Sequence, residues 1–598
     1  MAVRPETFEF HRREGKMPIV GEDRCPPTFP RSTPTHASAS GEIPHSHRRG
    51  FGPFLLRVWG GIFMIDKTGL SGLKGAPLVI AITTVCSSAF LLFGYDQGVM
   101  SGVVVSQYWL DEMGSPSTVM TGTITALYDV GAFFGAIVAA FTVEQLGRKR
   151  GLMVGAFLVV IGCALMGGCV ERIQMMVGRI ITGLGIGYLT SVAPVFQSEI
   201  CLPSQRGWHV SCQLTMMLFG LMLAYWINYA FYFHPGQIQW RFPLVFQAVF
   251  ALYILLITPF LPDTPRWLML HEASPERGTM VLAKLRDKPE EDPIVQNETS
   301  DILAAISMEA EEEGSWKSLF MDGGCAANKR FFSALGIQFM QQTSGINIVS
   351  YYAPTLFQDS LGMSQERALF VGCFLQVWYL IASFLTWYMI DSVGRRRLFI
   401  TMAIGMCVVL ICEAITVAIG SSKSGIAAVF FVFAFEGCFT WGWMATVWVY
   451  PAEILPLKIR SKGAALAAAA DFLGNFIVVE ITPPALKNIG YKTYIIFAVF
   501  NLITAVIVYC FYPETSYLNL ESVDLLFLPD ENRDQEIESK QKFYHKAIQW
   551  NVVPRARMAV NEAKARKKSG LAETTGDVEQ DAQSVLKHRD RPDHVEFK

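Results

Sequence analysis

The residue that most constrains the chemistry of this sequence is Asp96, a carboxyl group in the stretch Phe93-Gly94-Tyr95-Asp96, inside a long apolar run. An ionised carboxylate at membrane depth costs at least about 2.5 kcal/mol, so it needs a cation beside it or a proton on it. Arg179 is the natural candidate. It follows Gly178 in another apolar run, where the spacing of Gly183 and Gly187 would let that segment press toward the one carrying Asp96. Desolvation favours the proton and the guanidinium favours the charge, so a change in their separation switches occupancy. A second set of residues is uncharged. Gln338, Gln341, Gln342 and Gly345 follow i, i+3, i+4, i+7 and share one helix face. Their amides donate and accept, which suits either hydrogen bonds between helices or an uncharged solute rich in hydroxyls. Asn347 lies roughly 240° around a straight helix from Gln341, so both reach one cavity only if the helix unwinds near Ser344-Gly345.

The elements that must hold these groups are membrane spans. Of 598 residues 51% are hydrophobic and 17% charged, against about 25% charged in soluble domains. A net charge of -2, from 50 basic and 52 acidic residues, gives no global positive field for nucleic acid. The 12 cysteines are too sparse for a disulfide scaffold. Cys86, Cys163, Cys212, Cys373, Cys407 and Cys510 lie in apolar runs and read as small buried hydrophobes; no metal site and no cofactor is expected. Apolar runs of spanning length fall at 77–104, 118–141, 151–170, 174–198, 208–232, 241–262, 330–357, 366–390, 398–419, 425–451, 462–483 and 492–512. The fold class is therefore an all-α membrane protein of twelve transmembrane helices. Residues 1–76, rich in Pro, His, Arg and Ser, show no secretory leader and read as a disordered arm, and the charged tail 513–598 reads as largely disordered.

Orientation follows from the bases. Arg148, Lys149 and Arg150, then Arg206, then Arg395, Arg396 and Arg397, then Lys458, Arg460 and Lys462 fall in alternate short loops, which the positive-inside rule puts in the cytosol with both termini. The same loops reveal a repeat. Gly147-Arg148-Lys149-Arg150 returns as Gly394-Arg395-Arg396-Arg397, Glu199…Arg206 as Glu453…Arg460, and Pro262-Asp263-Thr264 as Pro513-Glu514-Thr515, each about 250 residues later. Three motifs at one period imply two pseudo-symmetric six-helix halves, 77–262 and 328–512, joined by cytosolic linker helices in 263–327. Two such halves around a central cavity form an alternating-access architecture.

Over residues 77–528 the chain resembles the sugar porter family of the major facilitator superfamily, in the fungal branch that includes proton-coupled sugar and polyol symporters. The resemblance rests on Phe93-Gly94-Tyr95-Asp96, Gly147-Arg148-Lys149-Arg150, Gly178-Arg179, Pro262-Asp263-Thr264-Pro265-Arg266-Trp267, Gln341-Gln342-Thr343-Ser344-Gly345-Ile346-Asn347, Pro451-Ala452-Glu453-Ile454 and Pro513-Glu514-Thr515, in that order. It implies a multi-pass plasma-membrane transporter, not an enzyme, that works as a monomer on a small sugar or polyol together with protons. It also implies that Asp96 pairs with Arg179 for proton coupling, and that Gln213, Gln341, Gln342, Asn347 and Trp448 contact the sugar. One proton moving through 100 mV is worth about 2.3 kcal/mol, enough for a roughly 50-fold substrate gradient. A structural ion pair in a facilitator is the competing reading, and a non-transporting nutrient sensor a third.

Tyr351 and Tyr352 are candidates for an extracellular gate or for interfacial anchors. The charged helix ends, Glu144 with Arg148 and Arg150, Asp391 with Arg395 and Arg397, and Glu199/Arg206 with Glu453/Arg460, could pair across the two halves as a cytosolic gate. Topology alone would require the same arginines. Asp471-Phe472 stands where the family more often has Asn-Trp, which makes Asp471 a candidate substrate contact and a departure. Asp129, Glu413, Glu436 and Glu480 are further acids in or near spans.

Overall fold

In the computed structural model, which describes residues 73–201, 206–271, 275–311, 326–359, 362–456 and 459–516 with the isolated positions 320 and 527, the described chain is helical throughout, with short turns between helices. The spanning helices are α1 (Ala76–Val103), α2 (Thr118–Leu146), α3 (Arg148–Gly167), α4 (Arg172–Ile200), α5 (Arg206–Tyr232), α6 (Ile238–Phe246 and Ala248–Ile257), α7a (Ala327–Gln342) with α7b (Ile346–Asp359), α8 (Gln365–Ser392), α9 (Arg395–Ile419), α10a (Ser422–Phe439) with α10b (Thr446–Ile454), α11 (Arg460–Ile489) and α12 (Lys492–Phe511). This is the twelve-helix, two-half architecture expected from the sequence. The arm 1–72, most of the tail, and residues 312–319 and 321–325 of the linker lie outside the described residues.

Eleven of the helices are individually long and apolar enough to cross a membrane. The twelfth crossing is α7, whose two pieces of 16 and 14 residues are separated at Thr343-Ser344-Gly345. Gly345 has φ +94, a left-handed conformation, and a Cβ placed there would stand 3.0 Å from the Phe497 ring. Both facts favour glycine. Helix α10 is interrupted differently: Thr440–Met444 forms a π-helical turn between α10a and α10b. Such turns rotate the following residues relative to a regular helix and often occur at functional sites.

Packing assigns the small residues of α4 a different partner from the one expected. Cβ atoms on Gly183 and Gly187 would collide with the backbone carbonyls of Tyr128 and Ala132, so these glycines admit α2 rather than α1. Arg179 reaches across to Asp96 of α1, and Gln197, nearer the end of α4, donates to Thr83 of α1. Large apolar side chains such as Tyr388, Ile426 and Phe511 point outward at 73%, 74% and 72% exposure, as a bilayer-facing surface requires. Cys86, Cys163, Cys373 and Cys407 are buried as expected, Cys212 is half-buried, and Cys510 on α12 is exposed, because it falls on that outward face.

The repeat is visible as a pair of helix caps. Asp263 Oδ1 accepts from the backbone amides of Arg148 (3.2 Å) and Lys149 (3.4 Å) at the start of α3. Glu514 does the same for α9, accepting from the amides of Arg395 (2.9 Å) and Arg396 (3.1 Å). A carboxylate at a helix N-terminus satisfies orphan donors and complements the helix dipole. The linker helices Pro265–His271, Glu276–Arg286 and Pro293–Glu311 brace the first half: Arg286 Nη1 donates to the Ile200 carbonyl (3.2 Å) at the end of α4, and the Gly75 amide donates to Lys284 O (2.7 Å).

Candidate transport site

Inside the bundle Asp96 and Arg179 have no solvent exposure. Arg179 Nη1 donates to Asp96 Oδ2 at 3.0 Å and Oδ1 at 3.1 Å. Its Nη2 donates to the Thr125 carbonyl of α2 at 3.1 Å, and its guanidinium carbon lies 4.9 Å from the Tyr128 ring centroid. The cation is thus shared among α1, α2 and α4. A buried pair held this way is costly to break by removing one partner.

Phe93 and Gln97, which flank Asp96 on α1, line a central cavity with Met217, Leu218 and Leu221 of α5 and with Gln341, Gln342, Asn347 and Ser350 of α7. Tyr379 of α8, Phe439, Met444 and Trp448 of the α10 region, and Asp471 of α11 complete the wall. The lining combines amides, hydroxyls, aromatic faces and one carboxyl. Its volume is about 30 Å³, and a single buried water needs roughly 10–15 Å³. In this conformation the cavity is therefore too narrow for a sugar ring, which enters only when the helices part.

The break in α7 does what the spacing required of it. Gln342 Nε2 donates to Asp471 Oδ1 at 2.6 Å, and Asn347 Nδ2, beyond the break, donates to Gln342 Oε1 at 2.6 Å. Gln341 Nε2 bonds the Trp443 carbonyl at 3.4 Å and Gln338 Nε2 the Val447 carbonyl at 3.4 Å, so these two amides also tie α7a to the α10 region. Gln338 and Gln341 thus hydrogen-bond between helices, while Gln341 and Gln342 also line the cavity. Gln213 is buried on α5 with no partner for its amide among the described residues, and it is not part of the cavity wall. Gln97, Ser350 and Tyr379, absent from the expected contacts, are. Gln97 could have been found as the polar residue next to Asp96 in an apolar run; Ser350 and Tyr379 carry no such signal.

Tyr351 and Tyr352 on α7b are buried and pack with Ala126 of α2 and Val479 of α11. Tyr352 Oη donates to Val479 O at 3.2 Å, and Asn475 Nδ2 of α11 donates to Tyr351 Oη at 3.2 Å and to Asp129 Oδ1 of α2 at 2.8 Å. Further bonds joining the first six helices to the last six gather at the same end, away from the basic loops. Thr123 Oγ1 donates to Glu480 Oε1 (2.7 Å), Tyr225 Oη to Ser350 O (2.9 Å), and Gln365 Nε2 to Val105 O (2.6 Å).

At the basic end the ion pairs among the described residues run within each half, not across the two as the sequence suggested. Arg148 pairs with Glu199 at 2.7 Å, and Arg395 with Glu453 at 3.0 Å, each joining neighbours of one six-helix set. The physical reason is the caps: Asp263 and Glu514 hold the first turns of α3 and α9 so that Arg148 and Arg395 project toward the ends of α4 and α10b. Thr515 Oγ1 adds a bond to Glu453 Oε2 at 2.6 Å. Glu144, Arg150 and Arg397 are exposed, and Arg460 Nε donates to Leu455 O within its own turn (3.2 Å). The side chains of Arg206 and Asp391 lie outside the described residues. Burial pushes the Asp263 carboxyl up to about 6, against the pull of the Thr264 and Lys149 amides and the Arg148 charge. Glu413 and Glu436 are buried on α9 and α10a without partners for their carboxyl oxygens among the described residues.

Comparison with known proteins agrees with this geometry. The family model described as "Sugar (and other) transporter" matches residues 81–527. The MFS-type transporter oryC of Aspergillus oryzae is 40% identical over 77% of this chain and 87% of its own length. The sugar transporter STL1 of Saccharomyces cerevisiae is 31% identical over 77% and 84%. A quinate permease of Neurospora terricola is 32% identical over 59% and 69%. Among solved structures, the proton:xylose symporter XylE bound to 6-bromo-6-deoxy-D-glucose superposes with a TM-score of 0.65 at 24% identity, covering 76% of this chain and all of XylE. That likeness establishes the fold. With the family model spanning both halves and the cavity between them, the chain belongs to the sugar transporter family of the major facilitator superfamily, as a multi-pass membrane transporter and not an enzyme.

Proposed function

We propose that the protein is a proton-coupled symporter of an uncharged sugar or polyol in the plasma membrane, working as a monomer with its basic end and both termini in the cytosol. The observation that carries this reading is the fully buried Asp96–Arg179 pair, set directly behind the cavity wall formed by Phe93 and Gln97. Such a pair can exchange its proton as solute binding shifts α1. Gln341, Gln342, Asn347 and Trp448 supply neutral hydrogen bonds and an apolar face to a ring of hydroxyls, with Asp471 accepting from one of them. Relatives named as a sugar transporter and a probable polyol transporter support this solute class. Gln213 remains a proposed contact for the opened cavity.

In this reading residues 77–262 and 328–512 are the moving halves, 263–327 the linker helices, and 1–76 and 513–598 cytosolic arm and tail. Tyr351 and Tyr352 close the extracellular side. The pairs Arg148–Glu199 and Arg395–Glu453 stabilise each half, and Arg206, Asp391 and Arg460 remain proposed members of the cytosolic gate. Uptake of a radiolabelled sugar and polyol panel in transport-deficient yeast, with and without a proton uncoupler, tests the reading. Uncoupler-sensitive accumulation supports symport, equilibration without accumulation replaces it with a facilitator, and absent uptake with intact nutrient signalling replaces it with a sensor.

A further inference from the structure

Three buried carboxyl groups lie near one another in the bundle interior. Asp96 pairs with Arg179 and Asp471 is held by Gln342. The third, Asp129 of α2, has no part in the scheme above. It is fully buried; its Oδ1 accepts a single hydrogen bond, from Asn475 of α11, and its Oδ2 has no partner among the described residues. The same Asn475 nitrogen donates to Tyr351 Oη of α7b, so Asp129 is one end of a chain linking α2, α11 and α7b. The charged and titratable groups around it are Tyr128 on its own helix, Arg179 from α4, Asp96 from α1, Asp471 from α11, and Tyr351 and Tyr352 from α7b.

The charge count decides the state of this acid. Arg179 is already engaged by Asp96 through Nη1 and by the Thr125 carbonyl through Nη2. With Asp96 ionised the pair is neutral. Ionised Asp129 would then add an uncompensated charge with one hydrogen bond, near two other acids, in a site closed to water. Such a charge is far costlier to bury than the neutral acid.

We propose that Asp129 is a second proton-binding carboxyl, separate from Asp96, whose neutral form latches α2 to α11 and α7b at the end of the cavity away from the basic loops. The neutral acid keeps the Asn475 bond through its carbonyl oxygen. When the proton leaves to water, the charge is relieved by water entering as Asn475 and Tyr351 move away from α2. It is also drawn toward Arg179, since Thr125, which holds that guanidinium, lies one helical turn from Asp129. Closing this end therefore takes up a proton and opening releases it. Each pH unit then changes the closed-to-open ratio by up to about tenfold.

The test places a thiol behind the latch. Val479, whose carbonyl takes the Tyr352 hydroxyl, is changed to cysteine in the full-length protein in lipid nanodiscs, where a maleimide reaches both faces. Labelling above that of the parent protein is followed from pH 5 to 8. The same variant carrying Asp129→Asn has the same thiol chemistry and a latch that cannot titrate. The expected result is that labelling relative to Asp129→Asn rises with pH, by up to about tenfold per unit, and still does so when Asp96→Asn is added to both. Asp129→Ala, which accepts nothing from Asn475, should label faster than Asp129→Asn at every pH. Asn475→Ala should do the same and serves if Asp129→Ala does not fold. A ratio that does not change with pH, or falls as pH rises, overturns the proposal. So does a pH dependence that vanishes with Asp96→Asn, or alanine variants that label no faster than Asp129→Asn.

Discussion

The Gln342 amide donates to Asp471 at 2.6 Å while its oxygen accepts from Asn347 at 2.6 Å, which fixes the amide's orientation on both sides of the break in α7. A side chain so constrained presents its remaining hydrogen-bonding capacity to the cavity in one direction, without the entropy cost of choosing it when solute binds. The relay also ties the two pieces of α7 together, because Asn347 belongs to α7b and Gln342 to α7a.

Gln342→Ala removes that amide and leaves Asn347 without its acceptor and Asp471 without its donor. A lost hydrogen bond of about 0.5–1.5 kcal/mol weakens solute binding roughly 2- to 13-fold, and the stranded partners lower stability by a further 1–3 kcal/mol. Binding affinity and thermal melting of the purified variant measure the two effects separately. Unchanged values for both would mean that the relay has no energetic role.

Asp96→Asn keeps the size of the side chain at the Arg179 pair and removes the titrating group. Accumulation against a gradient and solute-induced proton entry should disappear, while exchange of labelled for unlabelled solute continues. The guanidinium is left without its counter-charge, so reduced expression is also expected. Uphill uptake that survives in the variant would take Asp96 out of the coupling mechanism.

Much of this was legible in the residues, and the parts that were not share a physical cause. The break in α7 follows from a local rule: Gln341 and Asn347 cannot share a cavity on a straight helix, and Gly345 supplies the backbone freedom. The repeat exposed Pro262-Asp263-Thr264 and Pro513-Glu514-Thr515 as equivalent, but not that their carboxylates cap α3 and α9. That job depends on contacts between residues 115 and 119 positions apart. The Asn475–Asp129 bond, 346 positions apart, is equally invisible to periodicity. Charge pattern alone could not decide whether Arg148 and Arg395 reach across the halves or within them, since either arrangement satisfies the positive-inside rule.

The cap at Asp263 gives a pH dependence with a definite sign. Its carboxyl sits at about 6 in the fold against an ordinary 3.8, because burial outweighs the amides and Arg148. The folded protein prefers the protonated acid, so this contribution to stability is fully present below about 3.8 and is lost as pH rises through about 6, up to about 3 kcal/mol in all. Asp263→Asn retains an acceptor for the α3 amides and does not titrate. Its melting temperature relative to the natural protein should therefore climb between pH 5 and 7.5, whereas Asp263→Ala, lacking the cap, should lose about 0.5–2 kcal/mol at low pH. Parallel melting curves for the aspartate and asparagine forms across that range would contradict the assignment.

Asp471 gives the cavity its chemical bias. Among the described residues its wall holds this one carboxyl and no lysine, arginine or histidine, and one carboxyl oxygen is already committed to Gln342. In the opened, hydrated cavity the carboxyl can ionise, and its other oxygen then accepts a hydrogen bond from a solute hydroxyl, a charge-assisted bond of about 1.5–3 kcal/mol. A solute bearing its own carboxylate meets repulsion at the same place, with no cation in the wall to offset it. Asp471→Asn removes the charge and leaves an amide that both donates and accepts. Neutral sugars or polyols that rely on the acceptor should compete roughly 10-fold less well against the preferred solute, and carboxylated analogues such as a sugar acid should compete better than before. Coupling through Asp96 should be unaffected. Competition by matched pairs of neutral and carboxylated solutes, with the natural protein and the variant side by side, measures both shifts at once, and a ranking identical in the two proteins would show that Asp471 serves only to hold Gln342.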